Sequence, residues 1–256
     1  MSVINTNVKS MFAQSALQTN ARSMNEAMNQ LSTGKRTYSA SVDAAGLSLA
    51  EKMTSQIRGS QMAVRNINDA ISFLQTAEGA LGEIANMGQR MYELSVQLLD
   101  GTLATDQKTD IEAEMTELST AITDIKTNTK WNGTATADYS VKTTVSGDGT
   151  TATLAKTTSI GTVPTKASTP TAIETFIETV ASQRGEAGAH INRLGYMADN
   201  LSNIATNLSA SRSRVQDTDY AQASAELART QIVNQAATAM LAQANQQPQV
   251  VLSLLQ

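Results

Sequence analysis

The side chains that carry most enzyme chemistry are scarce in this chain. There is no cysteine and a single histidine, His190. Without cysteine, disulfides, thiolate catalysis and zinc–thiolate sites are excluded. His190 lies in the stretch AGAHINRLG beside an apolar position, Ile191, which favours a structural or surface role over catalysis or metal binding. No Gly-rich phosphate-binding loop follows a predicted strand, so the sequence predicts no enzyme and no cofactor.

Paired acidic residues are the remaining candidates for a metal site. Asp217 and Asp219 flank Thr218 in the stretch RVQDTDYA. Two carboxylates can bind a cation, but here they fall at a break between predicted helices. Capping of a helix, or pairing with Arg212 or Arg214, is therefore the favoured interpretation, and no metal is predicted.

Composition and charge exclude two classes of partner. The formal net charge is -4, and no basic stripe stands out, so nucleic acid is not an expected partner. No segment reaches the roughly 18 consecutive apolar residues that a membrane span needs, so membrane insertion is not expected. The N-terminal stretch lacks the basic and apolar regions of a cleavable secretory signal, so any export is predicted to use another route.

Apolar residues repeat with the spacing of coiled-coil helices over most of the chain. Aromatic residues make up only 4%, so Ala, Leu, Ile, Val and Met must fill the core. In the C-terminal half the seam recurs every seven residues, at Val180, Ala187, Leu194, Leu201, Leu208 and Val215. In the N-terminal half two matching registers contain Ile57, Val64, Ile67, Ile71, Leu74 and Leu81. Each seam is too narrow for an isolated helix, so the sequence predicts a helical bundle.

A break and a third helix follow the N-terminal seam. Asp100, Gly101 and Thr102 interrupt the pattern, and a new helix is predicted to start near Asp106. Its seam residues are Ile111, Met115, Leu118, Ile122 and Ile125. On the preceding helix, charged residues lie seven positions apart: Arg58 with Arg65, and Glu83 with Arg90. The sequence leaves open whether these are solvated flanks or contacts between subunits.

The two ends of the chain are amphipathic without being strongly charged. One face of a predicted N-terminal helix carries Leu17, Ala21, Met24, Met28 and Leu31. A predicted C-terminal helix carries Ile232, Val233, Ala236, Ala237, Met240 and Leu241. The polar faces hold Asn, Gln, Ser and Thr, which can be buried against other protein surfaces without stranding ions. The last seven residues are crowded with apolar side chains, at Val250, Val251, Leu252, Leu254 and Leu255.

Between the bundle halves the periodicity becomes β-like. It alternates around Tyr139–Val145 and Thr151–Leu154, with a turn at Gly147, Asp148 and Gly149, which predicts a hairpin. The remaining Ser- and Thr-rich part is predicted to be surface loop. Two interpretations of its hydroxyl groups stay open, a plain solvated loop and a carrier of O-linked sugars. The region is too short and too poor in apolar residues for a large second domain.

Long ordered motifs occur at both ends of the chain. On the N-terminal side they are INTNV from Ile4, LSTGKRTYSASVDAAGLSLA from Leu31, IRGSQMAVRN from Ile57, DAISFLQTAEGAL from Asp69, QRMYELSVQ from Gln89 and TKWNGT near Trp131. On the C-terminal side they are SASRSRVQDTDYAQASAEL from Ser209 and QIVNQAATAMLAQANQQPQVVLSLLQ from Gln231. Together these motifs resemble the two end signatures of bacterial flagellin. The middle shows no resemblance, as expected for the variable region of that family.

The resemblance implies a secreted, extracellular subunit that polymerises into the bacterial flagellar filament for swimming motility. The implied fold class is mainly α: a long helical coiled-coil bundle with a small β-hairpin region, whose termini pair as an inner coiled coil in the filament. Residues 1–44 and 216–256 would form the inner core domain, and 45–132 with 173–215 the helical bundle domain. Residues 133–172 would form the short variable region, which leaves no room for large outer domains.

The resemblance also assigns roles to two sets of residues. Gln89, Arg90, Glu93, Leu94, Gln97 and Glu114 match a surface that packs subunits and that the vertebrate flagellin-sensing Toll-like receptor grips. Tyr92 replaces the arginine that is usual within this surface. Core assembly and chaperone binding are implied for Leu17, Met24, Met28, Leu31, Ile232, Val233, Met240, Leu241, Val251, Leu252, Leu254 and Leu255.

The implied partners are other copies of the chain in a helical homopolymer, the flagellar export chaperone, and the filament cap and hook-associated proteins. The host Toll-like receptor is a further candidate. One alternative in the same class is the hook–filament junction protein, which shares the end motifs; the ANQQPQVVLSLLQ ending favours the filament subunit. An alternative of another class is a secreted helical ligand of a host receptor, which a failure to polymerise would support.

Overall fold

The computed structural model describes residues 6–136, 141–144, 151–154 and 160–253. Its helices are α1 Val8–Thr33, α2 Ala44–Leu98, α3 Thr105–Asn128, α4 Pro170–Gln216 and α5 Tyr220–Ser253. Its strands are β1 Lys130–Trp131, β2 Thr134–Ala135, β3 Val141–Thr144 and β4 Thr151–Leu154. The prediction of a mainly α fold is therefore confirmed.

The chain forms two compact units. Met1–Thr54 and Leu208–Gln256 make up one, here called the terminal unit, and Ser55–Asn207 make up the other, the central unit.

The core of the central unit is built from the predicted seams of α2, α3 and α4. Antiparallel α2 and α4 bring Ile67 and Phe73 together with Leu194 and Leu201 in one buried cluster. A second cluster adds α3 and the segment before α4. Its buried residues are Leu81, Ile84, Ala85, Met91, Leu94, Met115, Ile122, Ile160, Ile173, Phe176 and Val180. The seven-residue spacing therefore identified the buried face of these helices correctly.

The connection between α2 and α3 is a short turn held by one carboxylate. Oδ1 of Asp100 accepts hydrogen bonds from the backbone N–H and the hydroxyl of Thr102, each at 2.9 Å. These two bonds, the backbone one first, lower the pKa of Asp100 below its ordinary value because they favour the ionised form. The turn falls where the sequence predicted the break, and α3 begins one residue before Asp106.

A two-residue hairpin follows α3, and the sequence analysis missed it. Trp131 pairs with Thr134 across Asn132 and Gly133, whose φ angles are 47° and 80°. Two successive positive φ angles define the turn type that Asn-Gly favours, because glycine has no Cβ and asparagine tolerates this region. The hairpin holds the Trp131 ring edge-on to Phe73 of α2, with centroids 6.0 Å apart at 83°. This contact adds a second aromatic ring beside Phe73 to a cluster otherwise filled by aliphatic side chains and methionine.

A second antiparallel pair lies where the sequence predicted a hairpin. Val141 pairs with Leu154, and Thr144 pairs with Thr151. The predicted turn at Gly147, Asp148 and Gly149 lies outside the described residues.

In the terminal unit, α1 and α5 pack antiparallel with some of their Cα atoms within 8 Å of each other. Small residues make this approach feasible, because Ala27 and Ala223 are buried where larger side chains would separate the backbones. Asparagine side chains bridge the short gap. Nδ2 of Asn20 donates to the carbonyl oxygen of Thr230 at 2.7 Å, and Nδ2 of Asn7 donates to that of Ala244 at 2.8 Å.

The bond from Asn7 compensates for a proline within α5. Pro248 lies four residues after Ala244 and has no N–H, so the Ala244 carbonyl lacks its usual partner within the helix. A buried backbone carbonyl without a partner is costly, and the Asn7 amide supplies the missing hydrogen bond from the other helix. The helix therefore continues through Pro248 to Ser253.

The turn after α1 is hydrogen-bonded to the residues at the start of α5. Gly34 ends α1 with a φ of 68°, and its carbonyl accepts from the N–H of Thr218 at 3.1 Å. Lys35 and Asp217 form an antiparallel bridge, and the hydroxyl of Tyr220 donates to the Leu31 carbonyl at 3.3 Å. These bonds fix the level at which α1 and α5 meet.

The two predicted acidic residues play structural roles in this turn. Oδ1 of Asp219 accepts from the N–H groups of Ala221 and Gln222, which caps α5. The alternative of pairing with arginines is wrong for Arg212, whose guanidinium donates to the Thr54 hydroxyl at 3.2 Å.

The central core makes a direct stability prediction. Leu194→Ala should lower the free energy of unfolding by about 2–5 kcal/mol, because it leaves a cavity at a fully buried seam position. Chemical denaturation followed by circular dichroism measures this change. Ile204→Ala, an exposed position on the same helix, is the matched control and should change stability much less. Equal effects at the two positions would contradict the proposed seam.

Candidate functional site

The terminal helix pair contains a long stretch without ionisable side chains. Residues 10–21 of α1 and residues 230–253 of α5 include no Asp, Glu, Lys, Arg or His. A helix face in contact with water normally carries charges, whereas this pair presents amides, hydroxyls and apolar groups. Such a surface can be moved out of water without desolvating an ion, which is the largest cost of burying a helix face.

Large apolar side chains project from the same stretch. The three most exposed in the described part of the terminal unit are Phe12 at 80%, Ile232 at 67% and Met240 at 66%. Met11 and Val233 are exposed as well, and so is Val8, two residues before the first stretch. Removing one such side chain from water contributes about 1.5–3 kcal/mol. An exposed apolar surface of this extent marks a contact with another macromolecule.

The structure locates the predicted assembly residues at different depths. Leu17, Met24, Leu31 and Leu241 are half-buried between the helices of the terminal unit. Met28, predicted on the same apolar face, is half exposed in the subunit, and its neighbour Ala27 takes the buried position. Ile232, Val233 and Met240 face outward. Val251 and Leu252 belong to the last turn of α5, and Leu254 and Leu255 lie outside the described residues.

Two open grooves run along this helix pair. The first has a volume of about 430 Å³ and is lined by Phe12, Ala16, Asn20, Arg229 and Val233, among others. The second, of about 370 Å³, is more polar and carries Glu26, Arg36, Asp219 and Glu226. The residues that line them come from neighbouring helices, so both are surface grooves. In the part of the chain that the structure describes, no three His, Asp or Glu side chains are grouped as metal ligands.

The second predicted surface spans α2 and α3. Nε of Arg90 donates to Oε1 of Glu114 on α3 at 3.0 Å, and its Nη1 donates to Oε2 of Glu93 at 3.1 Å. These bonds to carboxylates, that to Glu114 first, raise the pKa of the Arg90 guanidinium above its ordinary value. Gln89 and Gln97 are exposed beside them. One arginine thus organises an exposed charged cluster across two helices.

Leu94 does not share this exposure. The prediction included it in the surface, but the structure buries it to 2% exposure in the cluster that also contains Met91 and Met115. Leu94 follows Arg90 by four residues, but it turns toward α3 instead of toward solvent. Its contribution is to hold α2 against α3, which keeps Arg90 within reach of Glu114.

Sequence reasoning missed Phe12, the most exposed large apolar residue of the described terminal unit. The signal was present, because Phe12 lies in the middle of the first stretch without ionisable residues. The seam analysis passed over it because Phe12 is out of register with Leu17 and Met24.

A charge placed on the outward face tests this surface. Ile232→Glu should leave helix content unchanged, because the side chain is mostly exposed, and should abolish self-association by burying an unpaired carboxylate in the contact. Sedimentation of the polymer measures the outcome. Ala113→Glu, on the exposed charged face of α3, is the matched control and should assemble normally. Normal assembly of Ile232→Glu would remove this face from the contact.

Among the helices that the structure describes, none combines the length and the apolar character that a membrane span requires.

Comparison with known proteins gives a consistent family assignment. A family model described as the bacterial flagellin N-terminal helical region matches residues 4–138, and one described as the C-terminal helical region matches residues 171–255. A flagellin of Halalkalibacterium halodurans is 40% identical over 270 residues, which cover 99% of each chain. The flagellar filament 33 kDa core protein of Treponema phagedenis is 34% identical over 284 residues, again 99% of each chain. The flagellin of Bacillus subtilis is 35% identical over 303 residues, 98% of this chain and 99% of that one. The chain therefore belongs to the bacterial flagellin family.

Proposed function

We propose that the α1–α5 pair is the element through which this flagellin joins its neighbours. As a flagellin, the chain is a structural subunit of the extracellular flagellar filament for motility, and not an enzyme. The observation that carries the proposal is the stretch without ionisable residues from which Phe12, Ile232 and Met240 project. The stretch of 24 residues at positions 230–253 is twice as long as the uncharged stretch of α4 at positions 200–211, in which Ile204 is the one large apolar side chain exposed.

The energetic argument is simple. Several apolar side chains per subunit leave water on assembly, and five of them would contribute on the order of 10 kcal/mol before ordering entropy opposes it. A contact of this type between different faces of successive copies does not close, so it generates a helical filament. Within this scheme we propose Leu17, Met24, Met28, Leu31, Ile232, Val233, Met240 and Leu241 as core assembly residues.

The same proposal assigns each part of the chain a location in the filament. Residues 1–44 and 216–256 would form the inner core of the filament, and 45–132 with 173–215 the surrounding bundle. Residues 133–172 would lie at the outer surface. The short strands β3 and β4 fit that position because a filament exterior imposes few packing constraints on them.

The same apolar end suits the partners that handle the subunit before assembly. We propose that the flagellar export chaperone covers Val251, Leu252, Leu254 and Leu255, since an apolar tail in a concentrated subunit pool would otherwise aggregate. The filament cap and the hook-associated proteins are proposed to contact the ends of the polymer. A hook–filament junction protein remains the alternative within this class, and long filaments formed by the chain alone would argue against it.

Deleting Leu252 to Gln256 tests the role of the tail. The central unit should unfold at the same denaturant concentration as the full chain, because the deletion removes none of its core residues. Polymer yield should fall, since apolar contacts are lost from every subunit. Electron microscopy of seeded protein measures the filaments. Filaments at normal yield and length would refute the proposed role of these residues.

A second candidate function is recognition by the vertebrate flagellin-sensing Toll-like receptor. The supporting observation is that Arg90 holds Glu93 and Glu114 at one exposed surface, beside Gln89 and Gln97. Arginine and glutamate arranged in this way can exchange their intramolecular bonds for charge-assisted bonds to a partner. For a secreted ligand, binding a receptor through this surface would be the main function. A filament subunit would present the surface to a receptor only while the subunit is outside the polymer.

Tyr92 makes the receptor proposal testable. Tyr92→Arg should strengthen the response of a receptor reporter cell, because it restores a charged contact that this chain lacks. Arg90→Ala should weaken the response, since it removes the residue that organises the cluster. Arg193→Ala, an exposed arginine on α4, controls for a general loss of positive charge. Equal responses to all four proteins, including the unchanged chain, would exclude this surface as the recognised one.

A further inference from the structure

Methionine is the most readily oxidised residue type in this chain, because there is no cysteine. The structure separates the described methionines by their exposure. Met91 and Met115 are completely buried in the core of the central unit. Those exposed to solvent are Met11, Met28, Met62 and Met240. Because oxidation of a methionine requires access of the oxidant to its sulfur, the folded subunit presents a small and defined set of reactive thioethers.

Met11 and Met240 differ from the other two exposed methionines in their surroundings. Met11 lies in the first stretch without ionisable residues, 10–21, and Met240 lies in the second, 230–253. Their side chains are 62% and 66% exposed. Lys9 precedes Met11 by two residues, a spacing at which side chains on a helix do not face each other. Both thioethers therefore belong to the uncharged surface through which subunits are proposed to meet.

The two methionines also lie at the same level of the α1–α5 pair. Two hydrogen bonds between the helices determine which residues are opposite each other, Asn7 with Ala244 and Asn20 with Thr230. Counting equally along the antiparallel helices from either bond places Met11 level with residue 239 or 240. Oxidation would therefore change two exposed side chains at one position along the pair.

We propose that Met11 and Met240 form an oxidation site that regulates assembly of the filament. Hydrogen peroxide reacts with both thioethers in the free subunit, and the oxidised subunit no longer joins its neighbours. In each reaction a lone pair of the sulfur attacks one peroxide oxygen, the O–O bond breaks, and the other oxygen leaves as water with both protons. The sulfur is oxidised by two electrons to a sulfoxide, and the peroxide is reduced. The proposal rests on the filament contact of the α1–α5 pair.

The polarity of the sulfoxide explains why assembly would stop. Burial of a sulfoxide in the contact is unfavourable unless a hydrogen-bond donor reaches its oxygen. The strongest donors are lysine and arginine, and residues 10–21 and 230–253 contain neither. The amides of Asn7 and Asn20 already donate to carbonyl oxygens across the helix pair. The sulfoxides are therefore more stable in water than in the contact.

Assembly and oxidation oppose each other in this scheme. A subunit in the filament has both thioethers covered, so peroxide reaches them slowly, whereas those of a free subunit are open to attack. The modification therefore acts on subunits before they join and leaves the existing polymer intact. It is also reversible, because methionine sulfoxide reductases restore the thioether.

Reciprocal leucine variants test the site. Leucine keeps the apolar bulk of methionine and cannot form a sulfoxide, so Met11→Leu, Met240→Leu should assemble as the unchanged chain does. After treatment with dilute hydrogen peroxide and removal of the excess with catalase, the unchanged chain should need an about tenfold or more higher concentration to assemble. The Met11→Leu, Met240→Leu variant should assemble at the same concentration as before treatment. Met28→Leu, Met62→Leu, which removes the other two exposed methionines, is the matched control and should lose assembly like the unchanged chain.

Mass spectrometry of proteolytic peptides locates the oxygen added to each methionine. In the free subunit Met11 and Met240 should each gain one oxygen, whereas the buried Met91 and Met115 should stay unmodified, which shows that the fold survives the treatment. In filaments, oxidation of Met11 and Met240 should be slower by about tenfold or more, because the contact covers them. Methionine sulfoxide reductases A and B together should restore assembly of the oxidised subunit, which irreversible damage would not allow.

The outcomes separate this proposal from the filament function. Normal assembly of subunits that are oxidised at both Met11 and Met240 would overturn the proposal and leave the filament function intact. Equal loss of assembly in the two leucine variants would place the sensitive residue elsewhere, which also overturns it. Equal rates of oxidation in subunit and filament would show that the contact does not cover this surface. Failure of the untreated chain to polymerise would remove the filament function itself, and this proposal with it.

Discussion

The narrowness of the apolar seam on every long helix is the constraint on which this structure depends. A seam of two residues in seven cannot stabilise an isolated helix, so each helix requires a partner along its length. The two units satisfy the requirement differently. In the central unit Leu, Ile, Met and Phe fill the seam, and buried Leu194 and Ile67 share one cluster. In the terminal unit Ala27 and Ala223 let the backbones approach, and less apolar area is buried per turn.

Close packing through small residues creates a problem of register, and polar side chains solve it. Alanine surfaces are nearly featureless, so two such helices could slide by a turn at little cost. The bonds from Asn7 to Ala244 and from Asn20 to Thr230 each specify one level of α5 opposite α1. The carbonyl that Pro248 leaves open makes the first bond specific, because that position of α5 has an acceptor with no competing helical N–H. The hydrogen bonds determine which residues of α1 and α5 lie opposite each other, and burial of apolar area supplies the affinity between the two helices.

Sequence reasoning predicted the features of the fold that follow from hydrophobic periodicity. It failed where the direction of a side chain or the chemistry of a local turn decides the structure. Heptad spacing placed Val180, Leu194 and Leu201 in the core, because a repeat marks one face whatever its partner is. It could not distinguish Ala27 from Met28 as the buried residue of α1, since the answer depends on how closely α5 approaches. Leu94 was assigned to a surface by resemblance, although its place in the α2–α3 seam buries it. The Asn132–Gly133 turn carried a clear hairpin signal that a search for longer alternating strands overlooked.

The distribution of charge explains how one chain can be stable as a subunit and still polymerise. Within residues 10–21 and 230–253, asparagine, glutamine, serine and threonine keep the surface of the free subunit hydrated without ions. On assembly these groups exchange water for protein partners, whereas buried lysines or glutamates would each have to find a counterion. Residues 230–253 contain no charge for salt to screen, because the Glu226–Arg229 ion pair of α5 lies before them. The exposed ion pairs lie outside these uncharged stretches, as in the Arg90–Glu114 pair of the central unit and the Glu226–Arg229 pair of α5. The narrow apolar seams hold each helix pair together. The apolar groups that stay exposed lie on the uncharged outward face, where a neighbouring copy can cover them.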